Sequence, residues 1–258
     1  MMPDGTSEKA AAFEDIGLLL RPIVTQISRW DRLKGWPFLI RGFCHLKENM
    51  ESHVQRARSD KNPRKLPEVL YRRYLEQVRL VLGGPDPAYI QDDPEGVEVF
   101  EELKEFYKKL PFNLQKDIAI LELPMESSGE NAIMVNALQR CSNIVAQNSL
   151  QEGFGLTATE AMFKRIPVMG THACGLRQQI QDNVHGKLVK DPTNAEEISY
   201  TLNEMLRNPY MCDVFGNNAE KNVVDRFLVF TQATNWLNAI VKVIDGEATR
   251  TSPSRKAG

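Results

Sequence analysis

The sequence predicts an α/β protein: one domain built on a doubly wound parallel sheet of the Rossmann-like kind, finished by helices. Three observations carry that expectation. Six short apolar runs alternate with longer segments of helical spacing. A turn bearing Gly153 and Gly155 joins one of those runs to a helix. Beyond Asp191 the strand signals stop and only helical pattern remains.

The elements follow in order. Residues Met1 to Leu20 are too few for a domain and read as a leader or linker remnant, so the domain spans 21–246 and 247–258 form a polar, disordered tail. Ile23 to Ser28 is strand-like, Arg29 to Gly35 is the loop leaving it, and Pro37 opens a helix over Phe38 to Met50. Arg56, Arg58, Lys61, Arg64, Lys65, Arg72 and Arg73 mark a solvated helix-loop insertion. Val78 to Leu82 is the next strand. Gly83-Gly84-Pro85-Asp86-Pro87 after it lacks the Gly-x-Gly-x-x-Gly order, and its prolines have no N–H to donate, so it reads as a turn. Strands are then expected at Ile118 to Leu123, Asn143 to Gln147, Val168 to Thr171 and Lys187 to Val189. Helices alternate with them at Gly96 to Leu110, Asn131 to Arg140, Gly155 to Arg165 and Leu176 to Gln181. Ala195 to Arg207, Tyr210 to Arg226 and an amphipathic Phe230 to Ile244 complete the chain.

Composition narrows the function. With 32 basic against 34 acidic residues, the net charge of −2 argues against a general affinity for nucleic acid or anionic membrane. Cys44, Cys141, Cys174 and Cys212 lie far apart, without Cys-x-x-Cys or histidine at zinc-ligand spacing, and are expected as reduced thiols in a cytoplasmic protein. The only apolar run near the start, Ile16 to Leu20, is short and follows acids, so neither a signal peptide nor a membrane span is expected.

Chemistry concentrates between Glu152 and Glu160. The turn lies at a strand's carboxyl end and opens a helix, so the free N–H groups around Phe154, Gly155 and Leu156 would face a phosphate, with Gly153 and Gly155 permitting close approach. Glu160, one turn into the helix, is placed to accept hydrogen bonds from a vicinal diol such as ribose. Glu152, on the loop side, can face sugar hydroxyls. Thr157 adds a hydroxyl donor. On the same edge of the sheet, Arg29 and Lys34 can grip one diphosphate, while Arg32 reads as solvated. Taken singly, each glutamate is more often a solvated acid, in a loop or on a helix; the pair in this frame is what points to a site.

These segments resemble the C-terminal, donor-binding half of GT-B-fold retaining glycosyltransferases of group 1 (family 4), from about Arg21 to about Ile244. Asn136 to Arg140 followed by Val145 to Thr157 is similar to the trehalose synthase and trehalose phosphorylase subgroup. The resemblance implies that Glu152 contacts the transferred sugar, Glu160 the ribose, and Arg29 with Lys34 the leaving diphosphate. It implies a metal-independent front-face mechanism without a carboxylate nucleophile, so catalysis falls to Arg29, Lys34 and Glu152, and donor binding to Gly153, Phe154, Gly155, Leu156, Thr157 and Glu160. No cofactor and no metal are expected; the nucleotide-diphosphate sugar, with glucose as the expected sugar, is a substrate.

The resemblance also implies a missing acceptor half. A partner chain carrying that half, a homodimer and a truncated gene are all compatible with it, and the apolar face of Phe230, Trp236, Leu237, Ile240 and Val241 is expected to be an exposed patch or to meet a partner. Three functions stay open: glucosyl transfer with retention to a sugar-like acceptor, phosphorolysis in the same pocket, and a non-catalytic sugar-nucleotide-binding half. Asp92 and Asp93 read as a solvated loop rather than a metal site. His172 and Cys174 lack a third orienting group for a nucleophilic pair, and Gly175 borders the donor.

Overall fold

Six parallel strands make one sheet in the order β3-β2-β1-β4-β5-β6, as seen in a computed structural model of the protein that describes residues 21–89 and 94–245. The expectations for Met1 to Leu20, for Asp92 and Asp93, and for 247–258 lie outside the described residues. The strands are β1 Ile23–Ile27, β2 Arg79–Pro85, β3 Ile118–Leu123, β4 Ile144–Ala146, β5 Val168–Thr171 and β6 Gly186–Val189. Order reverses between β1 and β4, which pair through Val24 with Ile144 and Thr25 with Val145. That reversal opens a crevice beyond the strands' carboxyl ends, where ligands of open α/β sheets bind.

Helices cover both faces: α1 Trp36–Glu48, α2 Met50–Arg58, α3 Glu68–Gln77, α4 Pro94–Lys108, the short α5 Phe112–Gln115, α6 Ser128–Cys141, α7 Leu156–Phe163, α8 Cys174–Gln179, α9 Ala195–Arg207, α10 Pro209–Arg226 and α11 Val229–Ile244. Every residue of β1 is buried, as a central strand with covered faces requires. The larger core joins β1 and β2 to α1, α3, α4 and α9, and a smaller one joins Val145 and Val168 to Ala158, Ala161, Met162, Ala219 and Val223. Helices α1 and α9 pack closely because Gly42 leaves room for the Ile198 side chain.

Two sequence expectations need correction. Gly83, Gly84 and Pro85 are not a turn but the last residues of β2, paired with Leu121, Glu122 and Leu123. Gly84 sits under the buried Trp30 ring, where a Cβ would collide, and Trp30 Nε1 donates to Pro85 O at 2.6 Å. The basic stretch from Arg56 to Arg73 is not a solvated insertion: α2 and α3 bury Val54, Ala57, Tyr71 and Leu75 in the core. Three of its charges are paired locally, Arg58 with Glu68, Lys65 with Asp60 and Arg72 with Glu51.

At the far end, α11 buries none of its residues. Phe230, Trp236, Leu237, Ile240 and Val241 are all exposed, as the missing-half expectation required. Pro209–Ile244 is, among the described residues, the segment long and apolar enough to weigh as a membrane span. It is broken at Phe227 and Leu228, α10 buries Cys212, Phe215, Ala219 and Val223, and the 16 residues of α11 fall short of the roughly 20 needed to cross a bilayer.

Candidate functional site

The loop after β1 is built by Trp30. Its ring is held between Trp36 and Phe100, with centroids at 4.9 and 4.8 Å, which pins the chain before it can run into solvent. Asp31 Oδ1 then accepts from Leu33 N at 2.7 Å, starting a single 3₁₀ turn over Arg32–Lys34. Gly35, at φ 63°, ends that turn and lies against the Asn148 backbone, where a Cβ has no room. Lys34 is thereby aimed across the switch point.

The loop after β4 meets it. Gln147, Asn148 and Ser149 are all buried and tie this loop to its neighbours, although Asn148 Oδ1 has no partner among the described residues. Gln147 N donates to Met169 O, Asn148 N to Gln26 Oε1, and Leu150 N to Leu33 O, at 2.8, 2.8 and 2.7 Å. Thr171 Oγ1 donates to Ser149 O at 2.6 Å. The two loops are thus stitched into one wall, and Lys34 Nζ stands 2.7 Å from Glu152 Oε2 although 118 residues separate them in sequence. Both side chains are largely shielded, 14% and 11% exposed, so the pair is far less screened than a surface ion pair. Ser149 Oγ and Gln147 Nε2 donate to the same oxygen at 3.1 and 3.4 Å.

Gly155, at φ 93°, is the residue before α7, and its left-handed backbone turns the chain into the helix. Gly153 has nothing within 4 Å of the position a side chain would take, so one flank of the turn is open. The other flank is closed by Gly175 at the start of α8, whose N–H donates to Glu152 O at 2.8 Å. Gln179 Nε2 donates to Phe154 O, fixing the turn from beneath. The first N–H groups of α7 have no intrahelical partner by construction, and they sit beside Glu152 at the positive end of the helix dipole.

The remaining candidates divide. Glu160 is exposed and accepts from Gln139 Nε2 at 3.2 Å, so its carboxylate is held in position at the surface. Thr157 is half-buried, whereas Phe154 and Leu156 present apolar surface beside the turn. Arg29 does not join the Lys34–Glu152 pair: its side chain is 70% exposed, with Nη2 3.5 Å from Asp31 Oδ2. Arg32 is bound to Glu98 and Glu102 of α4 at 2.9 and 2.5 Å and anchors the loop's outer side. Cys174 Sγ is engaged by Gln178 Nε2 at 3.6 Å within α8, which gives a Cys-His nucleophile no support. Among the described residues, no group of three or more His, Cys, Asp or Glu is arranged to hold a metal ion. Sequence reasoning missed Gln147, Ser149, Gln139 and Gln179. The signal for the first two was a run of three polar residues following a buried strand without a turn residue between.

The family model of the glycosyl transferases group 1 matches residues 20–222, which includes every group in this wall. The chain belongs to that family. Trehalose synthase of Thermococcus litoralis is 33% identical over 220 residues, covering 85% of this chain and 44% of that protein. The chain therefore spans less than half the length of this relative. Among solved structures, Anabaena Alr3699/HepE in complex with UDP-glucose superposes with a TM-score of 0.60 at 21% identity, over 88% of this chain and 51% of that one. The C-terminal domain of the group 1 family protein LpcC from Francisella tularensis matches with a TM-score of 0.51 at 21% identity, over 81% of this chain and 87% of that domain. At that identity the likeness establishes the fold, that of a GT-B glycosyltransferase domain.

Proposed function

We propose that the chain is the donor-binding half of a retaining hexosyltransferase of the trehalose synthase kind, taking a nucleotide-diphosphate sugar, with glucose as the sugar. The observation that carries this is the meeting of Lys34 and Glu152 at 2.7 Å beside the Gly155-capped helix, in the crevice where strand order reverses. The 33% identical trehalose synthase supports the choice of subgroup.

In this reading the α7 terminus and Lys34 hold the diphosphate, with Arg29 reaching it from the outer loop, and Glu160 binds the ribose diol. The bond from the anomeric carbon to the diphosphate oxygen breaks and its electron pair leaves with the diphosphate. The incoming hydroxyl forms the new bond on the same face and passes its proton to the departing phosphate. Positive groups matched to the growing charge lower the barrier, and Glu152 steadies the sugar as its anomeric carbon becomes cationic. These charges perform the work without calling on a metal ion. The acceptor pocket belongs to a second domain, supplied by a partner chain or a second copy in the cytoplasm.

Titration calorimetry with uridine, adenosine and guanosine diphosphate glucose tests the reading. The wild-type chain should bind one of the three, and Glu160→Ala and Lys34→Ala should both weaken it. With the acceptor half supplied, Lys34→Ala should lower turnover more than donor affinity. No binding of any donor by the wild type would sink the proposal, and turnover from glucose 1-phosphate without a nucleotide would replace it with phosphorolysis.

A further inference from the structure

The donor-site reading leaves one arrangement unexplained. Lys34 is assigned to the diphosphate, yet its ammonium is already committed to Glu152 at 2.7 Å. Three donors converge on a single oxygen, Glu152 Oε2: Lys34 Nζ at 2.7 Å, Ser149 Oγ at 3.1 Å and Gln147 Nε2 at 3.4 Å. Among the described residues Oε1 has no partner, and the neighbouring Gly153 backbone borders open space. Gln147 Nε2 is itself 2.9 Å from Ser149 Oγ and 3.2 Å from Ser28 Oγ, so the two neutral donors are tied to each other and, through Ser28, to the loop after β1.

A shielded carboxylate stripped of its only cation would be costly if nothing else solvated it. Here two neutral donors stay on Oε2 when the ammonium departs. We propose that Glu152 is the resting counter-ion of Lys34, that a nucleoside diphosphate binds by taking the ammonium away from it, and that Ser149 and Gln147 are positioning residues that hold the released carboxylate toward the sugar. This rests on the donor-site reading and adds an exchange to it. The lysine is transferred from one anion to another, so empty-site stability and diphosphate affinity oppose each other. A diphosphate without a sugar gains the lysine but leaves Glu152 Oε1 unused. A sugar ester gains both, and the site prefers the sugar-loaded form.

A double-mutant cycle decides it, with calorimetry of uridine, adenosine and guanosine diphosphate, free and as glucose esters, on the full chain. Glu152→Gln keeps the shape and removes the competing charge, so the free diphosphate should bind about tenfold tighter, the low end of a charge-assisted hydrogen bond. In the Lys34→Ala background the same change should gain nothing. Ser149→Ala should narrow the preference for the glucose ester over the free diphosphate by roughly threefold or more. A merely structural loss would weaken both ligands alike. The exchange is overturned if Glu152→Gln binds the diphosphate no tighter, or if the gain survives in Lys34→Ala, which would make Glu152 only a distant negative charge. Absence of all wild-type binding refutes the donor-site reading first, and this one with it.

Discussion

Gly175→Ala is the perturbation that most directly separates the shape of the site from its charges. A Cβ on Gly175 would stand 2.7 Å from the carbonyl carbon and oxygen of Gly153 and 2.7 Å from the Phe154 Cα. Ordinary contact begins near 3.4 Å, so the turn must retreat by roughly 0.7 Å or α8 must yield, and all three obstacles are backbone atoms that no rotamer change can move. Overpacking of this size costs about 1–3 kcal/mol of stability. The turn that retreats carries the N–H groups that the proposed function sets against the diphosphate, and the bond from Gly175 N to Glu152 O at 2.8 Å would stretch with it. Misplacement approaching 1 Å costs up to about a hundredfold in catalysis. Thermal unfolding and donor titration on the same sample measure the two consequences. The variant should melt a few degrees lower, remain folded, and bind the donor at least about tenfold more weakly. Donor affinity equal to wild type in a folded variant would show that the turn does not touch the ligand, and the anion-cradle argument would fail.

Two further outcomes concern the scaffold. Lys47 Nζ lies 2.9 Å from Asp117 Oδ2 and donates to Leu75 O and Glu76 O at 2.8 and 3.0 Å, with both charged side chains almost fully buried. Burial holds the Lys47 ammonium below its usual range despite Asp117, so Asp117→Ala strands a buried charge and should cost about 3–5 kcal/mol in urea unfolding, most of it recovered in the double variant with Lys47→Met. The buried His53 is likewise pushed below its ordinary 6.5, chiefly by burial and secondarily by Arg56 and His45. A base with a lowered folded pKa takes up more protons when unfolded, so stability rises with pH across that interval and declines as pH falls below about 6.5. Melting curves from pH 8 to pH 5 should show this decline flattened in His53→Gln; an unchanged slope would assign the acid sensitivity elsewhere.

The sheet was readable because each strand is a short apolar run between helical segments, and parallel strands covered on both faces leave that mark. Lys34 and Glu152 were readable for a related reason: each follows a strand, and the sheet's topology forces such loops together. Arg29 follows the same strand, but Trp30 turns inward behind it, and its side chain lies 70% exposed beside Asp31 rather than in the Lys34–Glu152 pair. Helix α3 escaped notice since its face toward the core amounts to Tyr71 and Leu75, while Val69 and Leu70 are exposed and charges surround them. Gly83 and Gly84 misled because glycine in a strand looks like a turn until a partner is known, and the partner, Trp30, lies more than fifty residues upstream. Helix α7 was placed correctly but stops at Phe163, since Arg165 adopts a left-handed φ of 63°. For Gln147 and Ser149 the polar run after the strand was the whole signal. A buried polar side chain is defined by its partners, and theirs lie in the loop after β1 and on the Glu152 turn.

The reversal of strand order at β1 and β4 also bears on how the chain acquires its site. β1, β2 and β3 are joined by five and six register pairs and close over modest sequence separations. β4 has only three residues and meets β1 through two pairs, across some 120 positions of chain. Closing that loop is the larger entropic hurdle with the smaller immediate return. The first three strands with α1 and α4 are therefore expected to form first, with the second half docking on them, and the pocket needs both halves. Donor binding regained during refolding would thus lag behind the recovery of Trp30 burial, and a nucleotide that holds the two loops together would act as a clasp on the slowest seam of the molecule.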